Sequence, residues 1–147
     1  MEKVTFLNDN SKGNLETIGR ESLAGTAEVF RDYMNYGFDE DGLDEKLDQD
    51  AIEFFENNGP FHEYGYGVQW DDGDEGKPGF YQYVLSGGGP SDEIRFYLDY
   101  SGYTWKIEYF YKDWYCGVGF DVSTEDWAVW LEDHFRECGS FQRDQEV

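Results

Sequence analysis

The sequence predicts a single α+β domain with N-terminal helices, an antiparallel β-sheet of about four strands and a C-terminal helix. The chain has 147 residues, the size of one domain. Apolar residues recur every three or four positions in its first part and near its end, and every second position between them. We therefore divide residues 1–147 into an arm or strand (1–19), a helical part (20–58), a sheet (60–122) and a final helix (123–139).

Two helices are predicted in the N-terminal part. The first spans Glu21 to Tyr36, and Gly37 is suited to end it. Its apolar face is formed by Leu23, Ala27, Phe30 and Met34. The second runs from about Leu43 to Asn57 and ends at Asn58-Gly59-Pro60.

After Pro60 the pattern favours strands rich in aromatic and β-branched residues. The predicted strands are His62–Trp70, Gly79–Leu85, Glu93–Tyr100 and Tyr103–Trp114. The short Ser101-Gly102 turn predicts that the last two form a hairpin. The side chains expected in the core of this hairpin are Ile94, Phe96, Leu98, Trp105, Ile107 and Tyr109. Gly117 and Gly119 are expected in a connector, and the final helix is expected to start near Ser123.

Charge is the most informative property of the composition. There are 33 acidic against 11 basic residues, a net charge of -22, in a chain that is 20% aromatic. The aromatic residues supply a core, so we expect a folded protein with a strongly negative surface. Self-repulsion of this size costs stability, which indicates that the charge is used. It argues against direct binding of nucleic acid or anionic membranes and favours a basic partner.

Other features indicate a cytoplasmic protein. No apolar run has the length of about 18 residues that a membrane span needs. The first ten residues lack the basic and apolar regions of a secretory signal. Cys116 and Cys138 are the only cysteines, and in such a protein they are expected to be reduced.

Two acidic clusters are candidate partner-binding sites. On the predicted second helix, Glu40, Asp44 and Asp48 would form one row, with Asp41 and Glu45 in a neighbouring row. Carboxylates four residues apart on a helix lie about 6 Å apart, close to the spacing of phosphates along a nucleic-acid strand. The loop between the first two strands adds Asp71, Asp72, Asp74 and Glu75. The alternative is that these residues merely form a solvated surface that aids solubility.

No catalytic residue, metal site or cofactor is predicted. An EF-hand-like alignment from Asp71 lacks the ligands at positions 3 and 12. The glycine-rich run after Ser86 lacks the lysine of a phosphate-binding loop. His62 and His134 are the only histidines, and no nucleophile with a neighbouring base is visible. The many tyrosines of the strands are either core residues or anchors for a protein partner.

Part of the chain resembles a known group of proteins. The segment from Phe80 to Tyr97, with Gly87-Gly88-Gly89-Pro90 at its centre, is followed by Ile107–Phe110 and by Lys112-Asp113-Trp114. Together these segments cover about a third of the chain, and they resemble small uncharacterised proteins of phages, plasmids and related mobile elements. The resemblance implies a context in which small, very acidic proteins act as anti-restriction or anti-CRISPR inhibitors, several of which mimic DNA. It carries over no catalytic residue.

The leading hypothesis is a non-enzymatic inhibitor that mimics nucleic acid and blocks the DNA- or RNA-binding surface of a bacterial defence complex. An immunity or antitoxin-like protein that caps a basic toxin would need the same acidity. A metal-binding or enzymatic module and a housekeeping phage protein are further alternatives.

Overall fold

A computed structural model describes residues 3–141 and confirms the α+β class. The strands are β1 (Val4–Phe6), β2 (Val68–Asp71), β3 (Phe80–Ser86), β4 (Ser91–Leu98), β5 (Thr104–Asp113) and β6 (Cys116–Asp121). The helices are α1 (Asn14–Tyr36), α2 (Gln49–Asn58), the single turn α3 (Phe61–Tyr64) and α4 (Asp126–Glu137).

All neighbouring strands of the sheet are antiparallel, in the order β1-β6-β5-β4-β3-β2. Strands β2 to β6 form a meander. The last of them, β6, pairs with the N-terminal strand β1, which places Thr5 opposite Gly119. Helices α1 to α3 therefore connect one edge of the sheet to the other, and they cross a single face of it. Within residues 3–141 no helix packs on the opposite face, and we call it the open face.

Helix α1 packs closely on β6 because a glycine faces the strand. A Cβ atom at Gly19 would lie 2.9 Å from Cγ1 of Val118, so no larger residue fits there without movement. The helix begins at Asn14, seven residues before the predicted start, and ends at Tyr36 as predicted.

The core between the helices and the sheet consists largely of aromatic rings. Phe30 of α1 has no exposed surface and stacks on Trp127 of α4, with ring centroids 5.7 Å apart. It also meets Tyr64 and Tyr83 within 6.2 Å. Aromatic pairs with these spacings add stabilisation beyond the area that they bury.

The sheet has six strands, where about four were predicted. The additional strands are β1 and β6, and β6 was expected to be a connector because Gly117 and Gly119 lie in it. Val118 and Phe120 alternate with these glycines and are fully buried under α1, so the burial of one face outweighs the low strand preference of glycine. The predicted first strand is shorter, because its beginning forms α3 and Gly65 and Gly67 follow.

A β-bulge changes the direction of one residue expected in the core. The pairing of β4 with β5 shifts between Tyr97 and Leu98, opposite Thr104 and Lys106. Trp105 lies at this irregularity, is 55% exposed, and contacts Tyr97 on the open face with ring centroids 5.4 Å apart. Bulges commonly re-aim a side chain in this way. The predicted core residues Ile94, Phe96, Ile107 and Tyr109 are buried as expected.

Candidate functional site

The first acidic cluster does not lie on a helix, which corrects the sequence prediction. Helix α2 begins only at Gln49, so Glu40, Asp41, Asp44, Glu45 and Asp48 precede it in a segment of turns. The helical rows with their regular carboxylate spacing are therefore absent.

The physical reason is that the aspartates bind their own backbone. Oδ1 of Asp44 accepts hydrogen bonds from the N–H groups of Lys46 (2.8 Å) and Leu47 (3.1 Å). Oδ2 of Asp48 accepts one from the N–H of Asp44 at 2.8 Å. Aspartate side chains compete with helical hydrogen bonding in this way, and they favour turns.

This segment belongs to the helical side of the molecule. It follows α1, and Phe38 at its start stacks on Trp130 of α4 and contacts Phe61, with ring centroids 5.3 Å and 5.5 Å away. Glu40, Asp41, Asp44 and Glu45 are all exposed, whereas Asp48 is half-buried. Four of the five carboxylates are thus directly available to a partner.

The second acidic cluster lies at the opposite layer of the molecule. Asp71 ends β2, and Asp72, Asp74 and Glu75 are exposed in the loop to β3. Asp71 accepts a hydrogen bond from the N–H of Gly73, and Asp72 accepts one from Nε1 of Trp70. The loop borders the open face, so the fold does not bring the two acidic clusters together.

The open face carries a groove of about 490 Å³ that sequence reasoning missed. Its floor is formed by β4 and β5, and its walls are the end of β1, the loop after β2 and the start of the β4–β5 hairpin. The lining residues are Thr5, Phe6, Leu7, Asp71, Gly73, Asp74, Lys77, Pro78, Phe80, Arg95, Tyr97, Trp105, Lys106, Glu108, Phe110 and Lys112.

Two buried glutamates hold the cations of this floor in place. Glu93 is 2% exposed. It accepts a hydrogen bond from Nε of Arg95 at 2.8 Å and forms an ion pair with Nζ of Lys112 at 2.6 Å. Glu108, also 2% exposed, pairs with Nζ of Lys106 at 3.1 Å. Burial raises the pKa of Tyr97, so its hydroxyl stays protonated and donates to Oε1 of Glu108 at 3.0 Å.

Aromatic rings enclose the guanidinium of Arg95. Its Cζ lies 4.4 Å from the ring centroid of Phe80 and 3.8 Å from that of Phe110. Burial of Glu93 alone would raise the pKa of its carboxyl, but the charges of Arg95 and Lys112 more than offset this and lower it. Glu93 is therefore held as an anion between two cations, and Glu108 has Lys106 as its partner.

A signal for this floor exists in the sequence. Charged residues of both signs alternate with core residues in both strands: Glu93 and Arg95 in β4, and Lys106, Glu108 and Lys112 in β5. The aromatic residues Tyr97 and Phe110 continue these two rows. In an antiparallel pair such residues face the same side and lie opposite one another. Arg95 lies opposite Glu108, and Tyr97 lies opposite Lys106.

Several tyrosines are exposed, as anchors for a protein partner would have to be, and others fill the core. Tyr66 is 75% exposed, and Tyr100 and Tyr103 project at the β4–β5 turn. Tyr81, Tyr83, Tyr97 and Tyr109 are buried. Trp114 and Tyr115, in the turn between β5 and β6, are both more than 80% exposed.

Within residues 3–141, no group of three or more His, Cys, Asp and Glu is arranged to hold a metal ion. In the same residues, no helix has the length and apolar character needed to cross a membrane. Cys116 and Cys138 are free thiols.

Comparison with protein families, with curated proteins and with solved structures finds no match to this chain.

Proposed function

We propose that this protein is a non-enzymatic inhibitor that mimics nucleic acid and blocks the DNA- or RNA-binding surface of a bacterial defence complex, such as a CRISPR effector or a restriction enzyme. The observation that carries the proposal is where the charge lies. Among the described residues, Asp92, Glu93 and Glu108 are the only buried acids. The other carboxylates of residues 3–141 are exposed or half-buried, in a chain of net charge -22.

The helical side is the most acidic part of this surface. Residues 14–66 contain 14 acidic residues and only three basic ones, Arg20, Arg31 and Lys46. Helix α1 has 23 residues, so it is about 35 Å long, which is close to one turn of duplex DNA. Helix α1 itself carries four of these acids and two of the bases, so most of the excess negative charge comes from residues 37–66.

The expected mechanism is competition by charge. Lysines and arginines that neutralise phosphates in the target would meet carboxylates instead, and counterions would be released from both surfaces. Such binding weakens steeply as the salt concentration rises. The exposed aromatic residues would add short-range contacts.

Because the two acidic clusters lie on different layers, we assign the contact to the first one. Asp44 and Asp48 hold the local turns, so they are poor positions for testing binding alone. Glu40 and Glu45 can be changed without removing those hydrogen bonds. The double variant Glu40→Lys/Glu45→Lys therefore tests the cluster, and Asp74→Lys/Glu75→Lys is a control with the same change in net charge.

The test is capture of tagged protein from a nuclease-treated bacterial lysate that contains CRISPR and restriction systems, with a salt series and duplex DNA as a competitor. We expect the wild type and the Asp74/Glu75 variant to retain a nucleic-acid-binding complex that DNA displaces. The Glu40/Glu45 variant should lose it while unfolding at the same temperature.

Two outcomes would contradict the proposal. Equal capture by both double variants would remove the role of the first cluster. Recovery of one small basic protein that DNA does not displace would instead favour an immunity or antitoxin-like protein.

A further inference from the structure

We propose that the groove of the open face binds a small organic molecule with one negative charge and a flat apolar body. This inference is independent of the proposed inhibitor function, which uses the helical side. The groove, of about 490 Å³, falls within the range of about 300–1,000 Å³ that is usual for small-molecule sites.

The negative charge of the ligand is inferred from the hydrogen-bond donors of the floor. A lysine ammonium has three N–H donors. Nζ of Lys112 is paired with Glu93, and Nζ of Lys106 is paired with Glu108. Both lysines line the groove, and the N–H groups that their glutamates do not use are available to an acceptor placed there.

The local charge supports the same conclusion. Arg95, Lys106 and Lys112 exceed the two buried glutamates by one charge. With Lys77 at the wall and Asp71 and Asp74 at the rim, four cations balance four carboxylates, so the groove is formally neutral in a strongly negative protein. Four of the chain's 11 lysines and arginines thus line a single groove in a protein of net charge -22.

The acids of the rim limit how much negative charge a ligand can carry. Asp71 and Asp74 both line the groove, although Oδ1 of Asp71 is occupied by the N–H of Gly73. Together with the charge of the whole protein, these two aspartates would repel a polyanion such as a nucleoside triphosphate. A single carboxylate is the anion that this arrangement fits.

The flat apolar body is inferred from the aromatic lining. Phe80, Tyr97 and Phe110 are buried at the base of the groove, and Trp105 and Pro78 are exposed apolar side chains of its lining. The indole of Trp105 is 55% exposed and is turned towards this face by the bulge described above. A planar ligand would cover this ring and bury it further, which is a common contact in small-molecule sites.

The experiment uses three aromatic monocarboxylates as probes: benzoate, indole-3-acetate and 2-naphthoate. Each is compared with its neutral amide, and tryptamine serves as a cation with an indole ring. Binding to the full chain is followed by backbone amide shifts in NMR spectra. We expect the acids to shift amides of β4, β5 and the 72–79 loop, and to bind better than the amides and tryptamine.

Variants test the location of the site. Trp105→Ala removes the exposed wall, and Lys77→Gln removes a cation; we expect Lys77→Gln to weaken binding by about tenfold, as for loss of one charge-assisted hydrogen bond. Lys12→Gln changes the net charge equally but lies outside the groove, and it should bind like the wild type.

The proposal is overturned by any of three results. These are no shift at the groove with any of the acids, equal or stronger binding of the amides or tryptamine, and equal weakening by Lys77→Gln and Lys12→Gln. The last result would show a response to net charge alone. Capture of a defence complex is not expected to change in these variants, so the two proposals fail separately.

Discussion

The helix-covered face of the sheet is held by aromatic rings, whereas its open face is held by ion pairs. Consecutive residues of β4 show the contrast: Ile94 and Phe96 have no exposed surface under the helices, and Glu93 is only 2% exposed on the other side. A buried charge is costly unless it is paired and hydrogen-bonded, and Arg95 and Lys112 supply both for Glu93.

This difference shows how a very acidic chain can use its few cations. On the helical side the core holds one buried carboxylate, Asp92, which accepts hydrogen bonds from the hydroxyls of Tyr109 and Ser86 instead of pairing with a cation. On the open face, lysine and arginine side chains pair with the glutamates, and the rings of Phe80 and Phe110 flank the guanidinium of Arg95. The aliphatic parts of the lysine and arginine side chains cover this face, as the helices cover the other one.

The largest effect is expected on the helix-covered face. Phe30→Ala removes a fully buried ring that contacts Trp127, Tyr64 and Tyr83, and it should lower the free energy of unfolding by about 4 kcal/mol. Urea denaturation at pH 7 measures this loss. Val129→Ala, at a position 40% exposed on α4, is the control and should change little. A small loss in Phe30→Ala would show that the aromatic core closes around the missing ring.

The second prediction concerns the open face. Arg95→Met leaves Glu93 buried with Lys112 as its remaining cation, and it should cost about 3 kcal/mol. The triple variant Glu93→Leu/Arg95→Met/Lys112→Met removes the buried charge itself, and its stability should return to that of the wild type or exceed it. If both variants lose the same free energy of unfolding, packing rather than charge holds this face.

The third and smallest effect is a pH dependence. The pKa of Glu93 is lower in the folded protein than its ordinary value of 4.5. Its ion pairs therefore stabilise the fold fully above about pH 4.5, and this contribution is lost as the pH falls through the lowered pKa. Glu93→Gln lacks it, so it should be less stable by about 2 kcal/mol at pH 7.

The measurement is urea unfolding of both proteins from pH 7 to pH 3. Taking the difference between them cancels the relief of surface repulsion that acidification brings to both. The difference should narrow below pH 4.5. If the difference in free energy of unfolding between the two proteins stays constant over this range, protonation of Glu93 does not break its ion pairs.

The sequence contains enough information for the fold class and for most of the core. Leu23, Ala27 and Phe30 predict the buried face of α1, because helical periodicity follows directly from which residues avoid water. Alternating aromatic residues predict the strands for the same reason. They do not predict strand β6, because its register depends on the packing of α1 over Val118 and Phe120, which is a long-range contact.

The sites were less accessible to prediction. The acidic segment 39–48 has helical spacing, but local hydrogen bonds of Asp44 and Asp48 decide its conformation, and spacing does not report them. The groove depends on how β1, the 72–79 loop and the bulge at Trp105 come together. In the sequence, only the alternation of charged residues in β4 and β5 indicates the floor of the groove.

The two outermost strands have a consequence for behaviour at high concentration. An open sheet exposes unpaired backbone groups at its margins, where another chain can add a strand and begin aggregation. Here these margins are β1, with three residues, and β2, with four. They offer a very short template, and two copies of a chain with net charge -22 repel each other before it can be used. The negative charge thus protects the protein from growing into cross-chain sheets.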